Sequence, residues 1–173
     1  GKQCSTEQMP FISEKFPSFH EFANATLDEM YGEQLNSALH LQVKDFKSYV
    51  FINNGGKYEA IALPMEAQLA PINAMIVKDW TGNGHPDILL AGNMHHVEVE
   101  TPRYDAGVGL LLEGDGTGAF EAVHMSKSGF NAPDDVKDIK YVRGGENDKV
   151  IVLNNSNRVQ LFEIKKDKAI TMH

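Results

Sequence analysis

The spacing of apolar residues along this chain changes near residue 48. Before that point Phe19, Phe22, Ala23, Leu27 and Met30 recur at helical intervals, and Leu35, Ala38, Leu39, Val43 and Phe46 continue the pattern. Ser18 followed by Glu21 has the spacing of a capping box, and Gly32 stands where a first helix would stop. The pattern predicts a helical hairpin over 18–46 that packs through Phe19, Phe22, Leu27, Leu35, Leu39 and Phe46. A partner-binding helix is the alternative for this region. Residues 1–17, with Pro10 and Pro17, read as an extended lead-in.

After residue 48 short apolar runs alternate with glycine turns. Tyr49-Val50-Phe51-Ile52, then Asn53-Asn54-Gly55-Gly56, then Tyr58-Glu59-Ala60-Ile61 predicts a β-hairpin. Strands are expected at 72–78, 88–91, 108–112, 120–123, 136–142, 150–153, 159–162 and 169–172. The runs repeat. The turn 53–59 matches 114–121 in kind, and Met75-Ile76-Val77-Lys78 matches Ile139-Lys140-Tyr141-Val142, a period of about 62 residues. Segment 94–103 is an insertion into this repeat.

The loop 79–87 carries the most specific chemistry. Asp79, Thr81, Asn83 and Asp87 occupy positions 1, 3, 5 and 9, and Gly84 sits at position 6, where such a loop bends. Alternating oxygen ligands, a glycine at the bend and a closing carboxylate suit a hard cation. The candidate metal ligands are Asp79, Thr81, Asn83, the carbonyl of His85, and Asp87, with Ca²⁺ as the ion. The alternative is a metal-free turn held by Asx-type hydrogen bonds. The corresponding turn at 143–148 lacks the oxygen pattern, so the scaffold is expected to tolerate metal-free loops.

The sequence Asp79-Trp80-Thr81-Gly82-Asn83-Gly84-His85-Pro86-Asp87, with Ala91-Gly92-Asn93, Arg103-Tyr104-Asp105-Ala106-Gly107 and Asp115-Gly116-Thr117-Gly118-Ala119-Phe120, resembles the FG-GAP or VCBS repeat. That repeat forms the blades of integrin-α-type β-propellers and of many secreted bacterial proteins. The likeness covers roughly 48–164. It implies a mainly β fold of four-stranded antiparallel blades behind an N-terminal helical segment, as a fragment of a larger propeller. The expected division is 1–47 for lead-in and helices and 48–173 for blades, with a half blade at 48–63, a full blade at 72–124 and a last blade at 136–173. Thr81 and Asn83 stand where the family most often has Asp, which implies modest calcium affinity. The implied function is a non-catalytic binding or adhesion module of a secreted or cell-envelope protein. An accessory propeller portion of an extracellular hydrolase is the alternative. The implied location is extracellular, periplasmic or in the cell envelope, with a signal sequence removed.

Composition narrows the partners. The chain has 173 residues, 42% hydrophobic and 23% charged, with a net charge of −8. An acidic chain without clustered Lys/Arg argues against nucleic acid or anionic lipid. A protein or glycan ligand fits, and unpaired blade edges would favour self-association. Cys4 alone makes no intrachain disulfide and no zinc-ligand spacing; it reads as an inert thiol, or as a lipidated cysteine of an envelope protein. No run of about 18 apolar residues offers a membrane span.

Other candidates are weaker. His85, His95, His96, Glu98 and Asp105 would form a transition-metal site if they converged at one blade end, against the ordinary reading of solvated histidines. Arg103, Tyr104 and Asp105 read as structural, or as a patch that stacks a sugar on Tyr104. No G-x-S-x-G, P-loop or dinucleotide fingerprint occurs, and the glycine-rich 114–118 links two strands rather than opening a helix. Asp134 and Asp135 are expected to cap the strand that follows. The chain therefore reads as no enzyme.

Overall fold

A computed structural model describes residues 1–165, and its contacts divide the chain into two units, Gly1–Asp45 and Phe46–His173. In the first unit α1 (Lys2–Gln8) and α2 (Phe11–Lys15) replace the expected extended lead-in. Pro10 does not interrupt them, because it stands at the N-cap of α2 with helical dihedrals, where its missing N–H costs nothing. α3 (Phe19–Asn24) opens on the capping box that Ser18 and Glu21 predict, and Thr26 with Glu29 builds a second box for α4 (Leu27–Tyr31). Gly32 ends α4 at a positive φ and leads into a 3₁₀ turn, Gly32–Ser37.

The expected second helix does not form. From Ala38 to Ser48 the backbone has no regular structure, and of the six predicted packing residues only Phe22 and Leu35 are half-buried. Phe19 is 71% exposed, Leu39 85% and Phe46 90%. The apolar spacing there lacks a side-chain cap at its start, and short isolated helices are marginal without one.

The second unit is mainly β. Nine strands form three antiparallel sheets among the described residues. The first is the hairpin β1 (Tyr49–Asn54) and β2 (Lys57–Ala62). Its turn is the pair Gly55-Gly56, both at positive φ, the backbone that a two-residue hairpin of matching twist requires. The second sheet runs β3 (Ile72–Lys78), β4 (Asp87–Gly92), β5 (Leu110–Gly114), β6 (Phe120–Val123) in spatial order. The third runs β7 (Val136–Val142), β8 (Asp148–Asn154), β9 (Gln160–Ile164). A short helix, α5 (Met125–Ser128), joins the second sheet to the third. The strand expected at 169–172 lies outside the described residues.

The central strand β4 of the middle sheet is buried on both faces, as its continuous apolar run Ile88-Leu89-Leu90-Ala91 demands, while β3 leaves Met75 and Val77 exposed. Ile88, Leu90 and Leu112 face the first hairpin, and Val50, Leu63 and the middle sheet's own Phe120 close the cluster. Leu89, Ala91 and Leu111 face the other way, into a core shared with Val136, Ile139, Val150, Val152 and Phe162. Trp80 meets Tyr141 edge-on across the same boundary, with ring centroids 5.9 Å apart. The sheets thus stack in chain order, with β3 against β7. β3 and β7 also share an irregularity one residue after their start, at Asn73 and Lys137, and the Asn73 amide uses it to donate to the carbonyl of Val136, at 2.9 Å.

Candidate functional site

Loop 79–87 joins β3 to β4 and lies at one end of the middle sheet. Asp87 opens β4 and is fully buried. Its Oδ2 accepts from the backbone N–H of Trp80 and of Thr81, both at 2.8 Å, and from the Thr81 hydroxyl at 3.0 Å. Its Oδ1 accepts from Gly114 N–H in β5, at 2.9 Å. Four donors therefore surround one carboxylate, which ties the loop to its own start and to a neighbouring strand. Asp79 is placed differently. Its two oxygens accept from Gly82 N–H at 2.7 Å and Gly84 N–H at 3.0 Å on the exposed side of the loop. The Asn83 side-chain oxygen accepts from His85 N–H, and its amide donates to the Gly114 carbonyl.

Calcium fits this donor set only in part. Asp87 Oδ2 already receives three donors and Thr81 Oγ1 donates into it, so both are committed within the loop. Asp79 and Asn83 keep free lone pairs on the outer side. The third sheet repeats the inner half of this design without the loop sequence. Asp148 opens β8 as Asp87 opens β4; its Oδ1 accepts from Gly144 N–H at 3.1 Å, and its Oδ2 accepts a short hydrogen bond from the Tyr141 hydroxyl. That bond, with burial, holds the Tyr141 phenol above its ordinary pKa.

The histidine candidates do not converge. The His85 ring lies against Gly116, beside loop 79–87. His95 and His96 follow the far end of β4, a strand whose five steps span roughly 16 Å. Glu98 and Asp105 are exposed, and among the described residues no group of three or more His, Cys, Asp or Glu is placed to hold a metal.

His95 and His96 instead line a cleft of about 230 Å³ with Arg103, Asp134, Asp135 and the turn 155–157. Three separate segments build it: the 94–103 insertion, the connector before β7 and the β8–β9 turn. Asn93 locks two of them in place. It is buried at φ 76°, its amide donates to the carbonyls of Gly107 and Pro133 at 2.8 Å, and its oxygen accepts from Gly107 N–H at 2.9 Å. A reciprocal backbone bridge between Met94 and Tyr104 closes the base of the insertion.

Asp135 forms the floor, 1% exposed as a side chain. It does more than cap β7. Lys137 Nζ stands 2.6 Å from Oδ1, His96 Nδ1 3.2 Å from Oδ2, and the Asn155 amide 3.2 Å from Oδ2. Burial would raise its pKa, but the hydrogen bonds from Lys137, His96 and Asn155 and the Lys137 charge outweigh it. The carboxyl is held well below the usual carboxylate range. His96 Nδ1 also lies 3.1 Å from the Asn155 amide, so Asp135, His96 and Asn155 form one hydrogen-bonded cluster. The Nε2 atom of His95 is buried without a hydrogen-bond partner. Sequence reasoning noted Asp134-Asp135 and the histidines but had no signal that joined them to turn 155–157, since the contact spans two sheets.

Comparison with family models, with curated proteins and with solved structures returns no match. Among the described residues no helix is long and apolar enough to cross a membrane.

Proposed function

We propose that the β unit is a run of successive propeller blades of FG-GAP or VCBS type, and that it serves as a non-catalytic binding module of a secreted or cell-envelope protein. The observation that carries this reading is the stacking. A four-stranded antiparallel sheet is packed face to face between two others in chain order, and its first strand, β3, lies beside the first strand of the next sheet, β7. Successive blades of a propeller have that relation. The β1–β2 hairpin then stands as the outer half of a preceding blade. Its turn side packs over the β5–β6 turn, where Gly118 lies against Ile52.

Loop 79–87 is, on this reading, a blade turn that holds itself by hydrogen bonds. Calcium is an optional addition through Asp79 and Asn83, with modest affinity. Binding is the role that remains for loops presented at the ends of rigid sheets. The test is an array of glycans and extracellular proteins probed with the labelled chain, beside hydrolysis assays on glycoside, ester and phosphodiester probes. Saturable binding without turnover is expected. Turnover of any probe, lost on substitution of residues in the β unit, would overturn the reading.

A further inference from the structure

The cleft between the second and third sheets has the features of a ligand pocket rather than of a surface dent. We infer that it binds a neutral, polyhydroxylated ligand: a single sugar ring, free or at the end of a glycan. The inference rests on the binding-module reading and gives it a place and a ligand class.

Every residue of the lining is polar or charged, and together they mix donors with acceptors. Arg103 offers N–H groups, Asp134 a carboxylate and Asn155 its side-chain carbonyl, while the Asn157 amide and the Ser156 hydroxyl each donate and accept. Sugar hydroxyls donate and accept at once, so a mixed set of this kind satisfies them. Other ligand chemistries fit less well. A chelated metal needs a group of ligands that the described residues do not bring together. An anion would meet Asp134 at the wall and a chain of net charge −8 around it. Lys137 does not offset this, because its charge is spent on Asp135. An apolar ligand would leave the polar lining unpaired.

Size points the same way. At about 230 Å³ the cleft is smaller than pockets for drug-sized ligands, which start near 300 Å³, so it holds one ring rather than a chain. Its geometry is fixed before a ligand arrives. Asn93 and Asp135 clamp the contributing segments, and the Asn155 N–H donates to the Asp135 carbonyl at 2.8 Å. Ser156 holds φ 57°, a conformation that costs a non-glycine residue energy and recurs at ligand sites.

The test is saturation-transfer NMR and calorimetry on the full chain with free hexoses, deoxyhexoses and N-acetylhexosamines, and with inorganic phosphate and zinc as contrasting probes. At least one sugar is expected to bind saturably. Arg103→Ala and Asn157→Ala, both at exposed side chains and so compatible with folding, are each expected to weaken it tenfold or more. Binding of phosphate or zinc but no sugar would overturn the inference, as would no saturable binding at all. A glycan or protein signal on the array that survives both substitutions would also sink the cleft, while leaving the binding-module reading intact.

Discussion

Asp79 and Asp87 close the same loop, yet their surroundings give them unequal work. Asp87 is buried and receives four hydrogen bonds, so Asp87→Ala strands at least the Trp80 and Gly114 N–H groups away from water. We expect that change to cost about 3 kcal/mol in urea unfolding. Asp79→Ala exposes its donors to solvent, and about 1 kcal/mol or less is expected. Equal costs for the two would contradict this division. Calcium at millimolar levels should raise the melting temperature of the wild type slightly, and Asp79→Ala should abolish the rise; no shift in the wild type would leave loop 79–87 a metal-free turn. Asp135 is the second buried acid whose partners decide its role. Its folded pKa is depressed, so its stabilisation is present above the unfolded carboxyl pKa of about 4 and is lost as pH falls through the folded value. Asp135→Asn should cost about 2 kcal/mol at neutral pH, and the gap to wild type should narrow below pH ~4. A gap that is constant with pH would show that the charge is not what matters. At this scale the sequence showed which residues carry oxygen. It could not show that Asp87 points inward at four donors, because Gly114 is distant along the chain.

At the scale of elements, glycines and caps mark the ends that the chain enforces. Gly92 closes β4 so near the preceding connector that a Cβ would lie 1.6 Å from the Pro71 carbonyl oxygen, which itself accepts from Asn93 N–H. Gly92→Ala should therefore displace the start of β3 and cost at least ~3 kcal/mol, read as a lowered urea midpoint with unchanged far-UV spectrum at zero denaturant. A neutral substitution would mean that the approach is looser than drawn. The strands were legible because alternation and glycine turns act locally; so were the capping boxes and the stop at Gly32. The stretch 38–48 was not, because helical spacing of apolar residues is a necessary sign and not a sufficient one. Without a cap or a surface to bury Leu39, Val43 and Phe46, the spacing has nothing to stabilise it.

At the scale of the whole molecule, the three sheets of the β unit stack in chain order, with the central strand β4 of the middle one buried on both faces. Sequence periodicity hinted at this through the repeat of about 62 residues. It could not choose which face meets which neighbour, since that depends on register, and a one-residue slip exchanges the two faces of a strand. Methyl-resolved nuclear Overhauser spectra of the folded chain decide it. The account predicts cross-peaks from Leu89 and Leu111 to the methyls of Val136, Ile139, Val150 and Val152, and from Ile88, Leu90 and Leu112 to Val50 and Leu63. It predicts none between Val50 and Val152, which lie in sheets separated by the middle one. Cross-peaks from Ile88 or Leu90 to Val150 or Val152, or from Val50 to Val152, would contradict the stack and with it the reading of the chain as consecutive blades.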